Sequence, residues 1–265
     1  MKKENYFQIN SIIKVFNILE AMVMRDEWEL GELVEFTELP KTTVHRMLLN
    51  MQSLGYVGQI SGNHRYTATT KIFELGCAVI KKKSVLRAAR PIMEEIVSRT
   101  KETVNLSVPD GIYMIVLDKV ECDNALKEDT PLGGRYLGYC SGTGKAVLAQ
   151  MSNEKIFKLF TGHQFEPQTT NSISGLKKLM KHVEQTRSQG YGIETEEYAL
   201  GLRCVGAPIF NHEGKVIAGL SITAPCVRFT DDKIPEMVEI LTSSVADISS
   251  RMGYRRNHMS GTNGF

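Results

Sequence analysis

Residues 39–57 read LPKTTVHRMLLNMQSLGYV, and the two faces of this stretch decide the fold around it. The fixed φ of Pro40 suits a first helical turn and biases Leu39 away from the α region. Wound as a helix from there, the segment stacks Val44, Met47, Leu48, Met51 and Leu54 on one side. Thr42, Thr43, Arg46 and Asn50 fall on roughly the opposite side. Gly55 stops it. Alone, such a helix is most simply an amphipathic element with a solvated polar face.

Its surroundings argue for more. Upstream, Ile12, Ile13, Val15, Phe16, Leu19 and Met22 recur at steps of three and four residues, which predicts a first helix. Leu30, Leu33 and Val34 predict a short second one over 29–36, followed by a tight connection over 37–40. Downstream, the β-prone runs 56–60 and 65–68 flank Ser61-Gly62-Asn63, the turn chemistry of a hairpin. Three helices and a β-hairpin make a winged helix-turn-helix.

The charges agree with that fold. The 265-residue chain has a net charge of only +2, too small to announce a nucleic-acid partner by itself. Residues 25–38 hold six acids against Arg25, whereas residues 41–71 hold Lys41, Arg46, Arg65 and Lys71 with no acid. The third helix is therefore expected in the major groove of DNA. Arg46 suits a bidentate contact to guanine, Thr42 and Thr43 suit phosphates, bases or a thymine methyl, and Lys41 suits backbone phosphate. His64 and Arg65, at the tip of the wing, suit phosphate or the minor groove.

Residues 70–101 read as helical again, with Pro91 expected to break the helix or start a second one. The run Lys81-Lys82-Lys83 is open to phosphate contact or to plain solvation. Beyond Thr103 strand-like runs at 104–108, 112–120, 204–210 and 215–223 alternate with helical stretches at 143–151, 153–161, 174–190 and 231–252. This is an α+β pattern with a largely antiparallel sheet. The expected organisation is a DNA-binding domain over 1–69, a helical linker over 70–90, a second domain over 91–254 and a disordered tail over 255–265.

Five cysteines, odd in number and without a CxxC pair, fit a reducing cytoplasm better than a disulfide framework or a zinc site. No apolar run reaches the length of a signal peptide or a membrane span. The segment Tyr139-Cys140-Ser141-Gly142-Thr143-Gly144-Lys145 resembles a phosphate loop but fails it, because Tyr139 stands where glycine is needed and Ala146 where Ser or Thr is needed. A generic anion cradle and a simple helix-capping loop remain equally open. An enzyme using Cys204, Cys140 or Ser141 as nucleophile is the rival class. None of the six histidines sits in a recognisable nucleophile or metal motif, so no catalytic residue, metal or cofactor is expected. A third possibility is a DNA-binding oligomer indifferent to small molecules.

Several motifs fall in one order along the chain. They are K-x-T-x-x-R at 41–46, L-G-Y-V at 54–57, R-Y-x-x-x-x-K at 65–71, E-L-G at 74–76, S-G-x-G-K at 141–145, G-Y-G-x-x-x-E-E at 190–197, G-L-R-C-V-x-A-P at 201–208 and V-I-A-G-L-S-I at 216–222. Together they resemble the IclR family of bacterial transcription regulators, over nearly the whole chain. The wording KIFELG, SRTKETVNL and RMGY is most similar to the ketodeoxygluconate type, which serves sugar-acid catabolism.

The resemblance implies a winged helix-turn-helix, a helical linker used in dimerisation, and a GAF-like C-terminal domain that binds a small effector, often a carboxylate. It implies operator DNA as partner and a homodimer or homotetramer as assembly. Carried over by motif, the effector-binding positions are Gly142, Thr143, Glu194, Cys204, Ser221 and Thr223. Glu194 replaces the commoner aspartate and Thr223 the second serine, which implies a reshaped pocket. Read from the residues alone, Cys204 and Ser221 are small side chains in buried strands, and Glu194 is a solvated loop acid.

Overall fold

The computed structural model describes residues 9–60, 62, 64–81 and 84–255. Ser61 and Asn63 of the expected hairpin turn, Lys82 and Lys83 of the basic run, and the expected tail beyond Arg255 lie outside the described residues. The chain divides into two compact units, residues 1–82 and 83–265.

The first unit contains α1 (Asn10–Met22), α2 (Leu30–Thr37), α3 (Lys41–Ser53), β1 (Val57–Gln59), β2 (Tyr66–Ala68) and α4 (Thr70–Lys81). A capping box starts α2, with Glu29 N donating to Glu32 Oε2 at 2.7 Å. Glu38, in the left-handed region at φ 54°, then turns the chain into α3. The antiparallel pair β1–β2 is the wing, and an isolated bridge between Trp28 and Tyr66 ties it to the helices. Ile18, Met22, Trp28, Leu33, Val44, Leu48 and Tyr66 form the core beneath.

One expectation for this unit is corrected. Val44, Met47, Leu48 and Met51 are buried, but Leu54 is exposed. It lies past the last helical residue, where Gly55 at φ 81° swings the chain away. Along α1 only Ile18, Ala21 and Met22 are buried. Ile9, Ile12, Ile13 and Phe16 instead form an exposed apolar stripe.

The second unit begins with α5 (Ser84–Thr100) and continues as β3 (Thr103–Asp110), β4 (Tyr113–Val120), β5 (Arg135–Leu137), α6 (Gly142–Leu148), α7 (Asn153–Phe160), α8 (Leu176–Gln189), β6 (Gly192–Thr195), β7 (Leu202–Phe210), β8 (Val216–Pro225) and α9 (Ile234–Arg251). Pro91 neither breaks nor begins a helix: it lies inside α5. A proline there costs ~3 kcal/mol. Burying Val85, Ile92, Met93 and Ile96 of the same helix against the sheet contributes roughly 1.5–3 kcal/mol each, so packing outweighs the lost hydrogen bond.

The six strands form one antiparallel sheet in the order β5-β4-β3-β8-β7-β6. Strand alternation splits its residues between two faces. Val104, Leu106, Val205, Ala207, Leu220 and Ile222 face α5 and α9 in an apolar core. The intervening positions are mostly polar or glycine, and the register aligns them across strands. Thr103 lies opposite Thr223, Thr223 opposite Cys204, and Cys204 opposite Glu194. One step along, Asn105 lies opposite Ser221 and Ser221 opposite Gly206.

Candidate functional site

On this polar face Thr103, Asn105, Glu194, Cys204, Ser221 and Thr223 are all buried. Burying that many polar groups against an apolar layer would be costly. What lies over them is α6, whose first turn meets the sheet at glycines. A Cβ on Gly206 would collide with the backbone of Thr143, and one on Gly192 with the carbonyl of Gly142. The glycines of the 190–197 and 201–208 motifs therefore let a helix terminus approach the sheet backbone.

The loop before α6 caps the helix itself. Ser141 Oγ accepts from Gly144 N at 2.9 Å and donates to the carbonyl of Gly138, while Lys145 N donates to Ser141 O. The amides of Gly144 and Lys145 are thus committed to Ser141. Lys145 is fully buried and points away from any anion cradle: its Nζ donates to Glu197 Oε1 at 2.5 Å and to the carbonyl of Ile193 at 2.8 Å.

Between α6, the sheet and the segment after β4 lies a small pocket. Thr143, Glu194, Cys204, Ser221 and Thr223 line it together. Gly142 lies against the sheet beside them, within about 3 Å of the Cys204 carbonyl for a built Cβ. Asn105, Thr130, Tyr136, Ser141, Tyr198 and Leu202 complete the lining. None of these six was singled out from the sequence as an effector contact. For Asn105 a signal exists, since polar Asn105 and Ser107 alternate with apolar residues in the strand predicted over 104–108. For Thr130 and Tyr136 there was none, because the one sits in an irregular segment and the other in a three-residue strand.

Glu194 is the one ionisable acid of the lining. It is a strand residue, not a loop acid, and is 3% exposed. Its Oε1 accepts from Glu197 N at 2.6 Å and from Tyr198 N at 3.2 Å. Burial pushes its carboxyl up to about 7, with the Glu197 charge adding to the shift and the two amides and Lys145 opposing it. Burial also pushes the Cys204 and Cys140 thiols up to about 11. At neutral pH both stay protonated, the opposite of what a nucleophilic cysteine needs. Among the described residues no group of three or more His, Cys, Asp or Glu could hold a metal ion.

In the first unit, Lys41, Thr42 and Arg46 are exposed on α3 and Thr43 is half-buried. His64 is exposed at φ 55° beside the wing turn. Arg65 is engaged: its Nη2 donates to Glu29 Oε1 at 2.6 Å, and Glu27 lies 4.0 Å from Nη1. Lys71 Nζ donates to the carbonyl of Leu54 at 2.6 Å and lies over the Tyr56 ring, so this base closes the end of α3.

A helix-turn-helix with a wing in one unit, joined to an α+β unit with a buried polar pocket, is the make-up of a DNA-binding transcription regulator. The family model for the IclR helix-turn-helix domain matches residues 11–61, and that for the bacterial transcriptional regulator IclR C-terminal matches residues 77–250. The chain belongs to the IclR family. It is 34% identical to the HTH-type transcriptional regulator KdgR of Escherichia coli over 93% of this chain and 94% of that protein. It is 31% identical to the transcriptional repressor IclR of E. coli over 94% and 92%. Among solved structures, Thermotoga maritima IclR superposes with a TM-score of 0.78 at 29% identity, covering 93% of this chain and all of that one. The C-terminal domain of E. coli KdgR covers 65% of this chain and all of its own, with a TM-score of 0.60 at 32% identity. The family and these relatives are transcription regulators, not enzymes. Among the described residues no helix is long and apolar enough to cross a membrane.

Proposed function

We propose that this regulator is a cytoplasmic repressor that binds its operator as a homodimer or homotetramer and releases it when a small carboxylate, most simply a sugar acid, occupies the pocket of the second unit. The observation that carries the reading is the aligned polar face of the sheet, where Glu194, Cys204, Ser221 and Thr223 meet Thr143 in one buried pocket. Hydroxyls of Thr143, Ser221 and Thr223 donate to a carboxylate, and Glu194 pairs with a ligand hydroxyl. The 34% identity to KdgR of E. coli, together with the motif wording that is most similar to the ketodeoxygluconate type, favours the sugar-acid class.

Lys41, Thr42, Thr43 and Arg46 are the α3 residues that face DNA, with His64 and Arg65 at the wing. The exposed stripe Ile9, Ile12, Ile13 and Phe16 supports self-association. Control follows from linkage: an acid that binds one arrangement of the assembled chains better than another shifts the fraction competent for DNA by its differential affinity.

A thermal-shift screen of the full chain against small carboxylates and sugar acids tests this. A ligand at 100 times its Kd stabilises by about 2.7 kcal/mol. The expected result is a shift with a sugar acid that Ser221→Ala and Glu194→Ala remove; a shift that both variants retain places the ligand elsewhere.

A further inference from the structure

Asn105 is 6% exposed, lines the pocket, and stands opposite Ser221 in the sheet. Its Nδ2 donates to Glu128 Oε2 at 3.1 Å. A carboxylate only accepts, so this bond fixes which end of the amide faces Glu128. The other end, Oδ1, is a buried acceptor with no hydrogen-bond partner in the structure. Buried acceptors are rarely left unmet, and this one belongs to a side chain on the wall of a ligand pocket.

Glu128 is itself held firmly. Its Oε1 accepts from Thr130 N at 2.6 Å, and the buried Lys119 ammonium lies 4.0 Å from its Oε2. Lys119 also draws in Glu121 at 3.1 Å and Asp129 at 3.6 Å. Farther along, Arg228 clamps Glu102 with two bonds of 2.6 and 2.7 Å and donates to the carbonyl of Leu126 at 2.9 Å. The segment 121–134 is therefore pinned from both sides, and it carries the group that orients Asn105.

We propose that Asn105 Oδ1 selects for an O–H donor on the effector, and that Glu128 is the positioning residue that keeps the oxygen, rather than the nitrogen, of that amide toward the ligand. The proposal rests on the reading of this pocket as the effector site and adds what the site demands: a hydroxylated acid. An unsubstituted acid of the same length leaves the Asn105 oxygen unmet, which weakens binding by about 10- to 100-fold.

Glu128→Gln tests the positioning role. The glutamine has one side-chain oxygen for two donors, Thr130 N and Asn105 Nδ2, and its own N–H groups favour an Asn105 amide turned over. Calorimetric titration of the full chain would compare gluconate and galacturonate with hexanoate. Wild type is expected to favour a hydroxylated acid by at least about 10-fold. Asn105→Ala and Glu128→Gln should each reduce that ratio to within about 3-fold, the larger loss falling on the hydroxylated acids. A merely structural role for Glu128 would weaken both acid classes together and leave the ratio standing, which overturns the assignment. So does a wild-type chain that binds hexanoate as tightly as its hydroxylated counterparts. Failure of every acid to bind wild type overturns the effector reading and this proposal together, whereas binding lost in Ser221→Ala with no change of ratio in Asn105→Ala sinks the proposal alone. Asn105→Ser is the second variant should the alanine form not fold.

Discussion

Lys145 and Glu197, fifty-two residues apart, form a buried ion pair at 2.5 Å. The lysine of the S-G-x-G-K motif thus anchors the 194–198 turn, which in turn supplies the two amides that hold Glu194. Removing one partner of such a pair leaves an uncompensated buried charge. Lys145→Met is expected to cost about 3–5 kcal/mol of the second unit's stability, read by denaturant unfolding. The double variant Lys145→Met with Glu197→Leu should recover much of that loss, since replacing both partners by apolar groups is far cheaper than orphaning one.

Glu194 should make stability depend on pH. Its folded value of about 7 lies above the ordinary 4.5, so the folded chain holds this proton more tightly than the unfolded one. The contribution is fully present below about 4.5 and is lost as pH rises through about 7, a swing on the order of 3 kcal/mol. Glu197, Lys145 and Cys204 are the other charged or titratable groups that act on it. Unfolding measured from pH 5 to pH 8 is expected to show that decline, and Glu194→Gln to flatten it. An anionic effector should bind more tightly at pH 6 than at pH 8 for the same reason, because its charge and an ionised Glu194 repel.

On the DNA side, Arg46→Ala is expected to lose ~1–3 kcal/mol of discrimination between operator and random DNA if Arg46 reads a guanine. Equal weakening on both DNAs, measured by fluorescence anisotropy, would make Arg46 a phosphate contact instead.

The ion pair between Arg65 and Glu29 sets a different expectation for the wing. Both side chains are partly exposed, so Glu29→Gln should change stability little. The same change removes a negative charge beside the wing base and should strengthen binding to random DNA, with a steeper dependence on salt. Unchanged salt dependence would place Arg65 off the phosphate backbone.

Much of this was legible in the sequence. The 3.6-residue periodicity of α1 to α3, and the Ser-Gly-Asn turn signal between β1 and β2, point to the winged helix because each signal is local. Leu54 reads as part of the core face of α3, and the exposure of Ile12, Ile13 and Phe16 has no trace in the pattern, because periodicity reports which residues share a face, not whether anything covers it. Pro91 reads as a boundary because its local cost is visible in sequence, while the sheet that α5 packs against is not. In the pocket, Glu194, Cys204, Ser221 and Thr223 were named by motif. Their common wall depends on the register of β6, β7 and β8, which no single strand encodes. Asn105 and Glu128 meet across twenty-three residues and an irregular segment, so their relation had no periodic trace.

The most direct test of the account is the operator affinity of the full chain with and without a saturating sugar acid that the thermal screen has identified, measured alongside Ser221→Ala. The account predicts that the acid weakens operator binding at least about fivefold, a coupling of about 1 kcal/mol or more, and that the variant binds operator normally but no longer responds. An acid that occupies the pocket yet leaves operator affinity unchanged would contradict it.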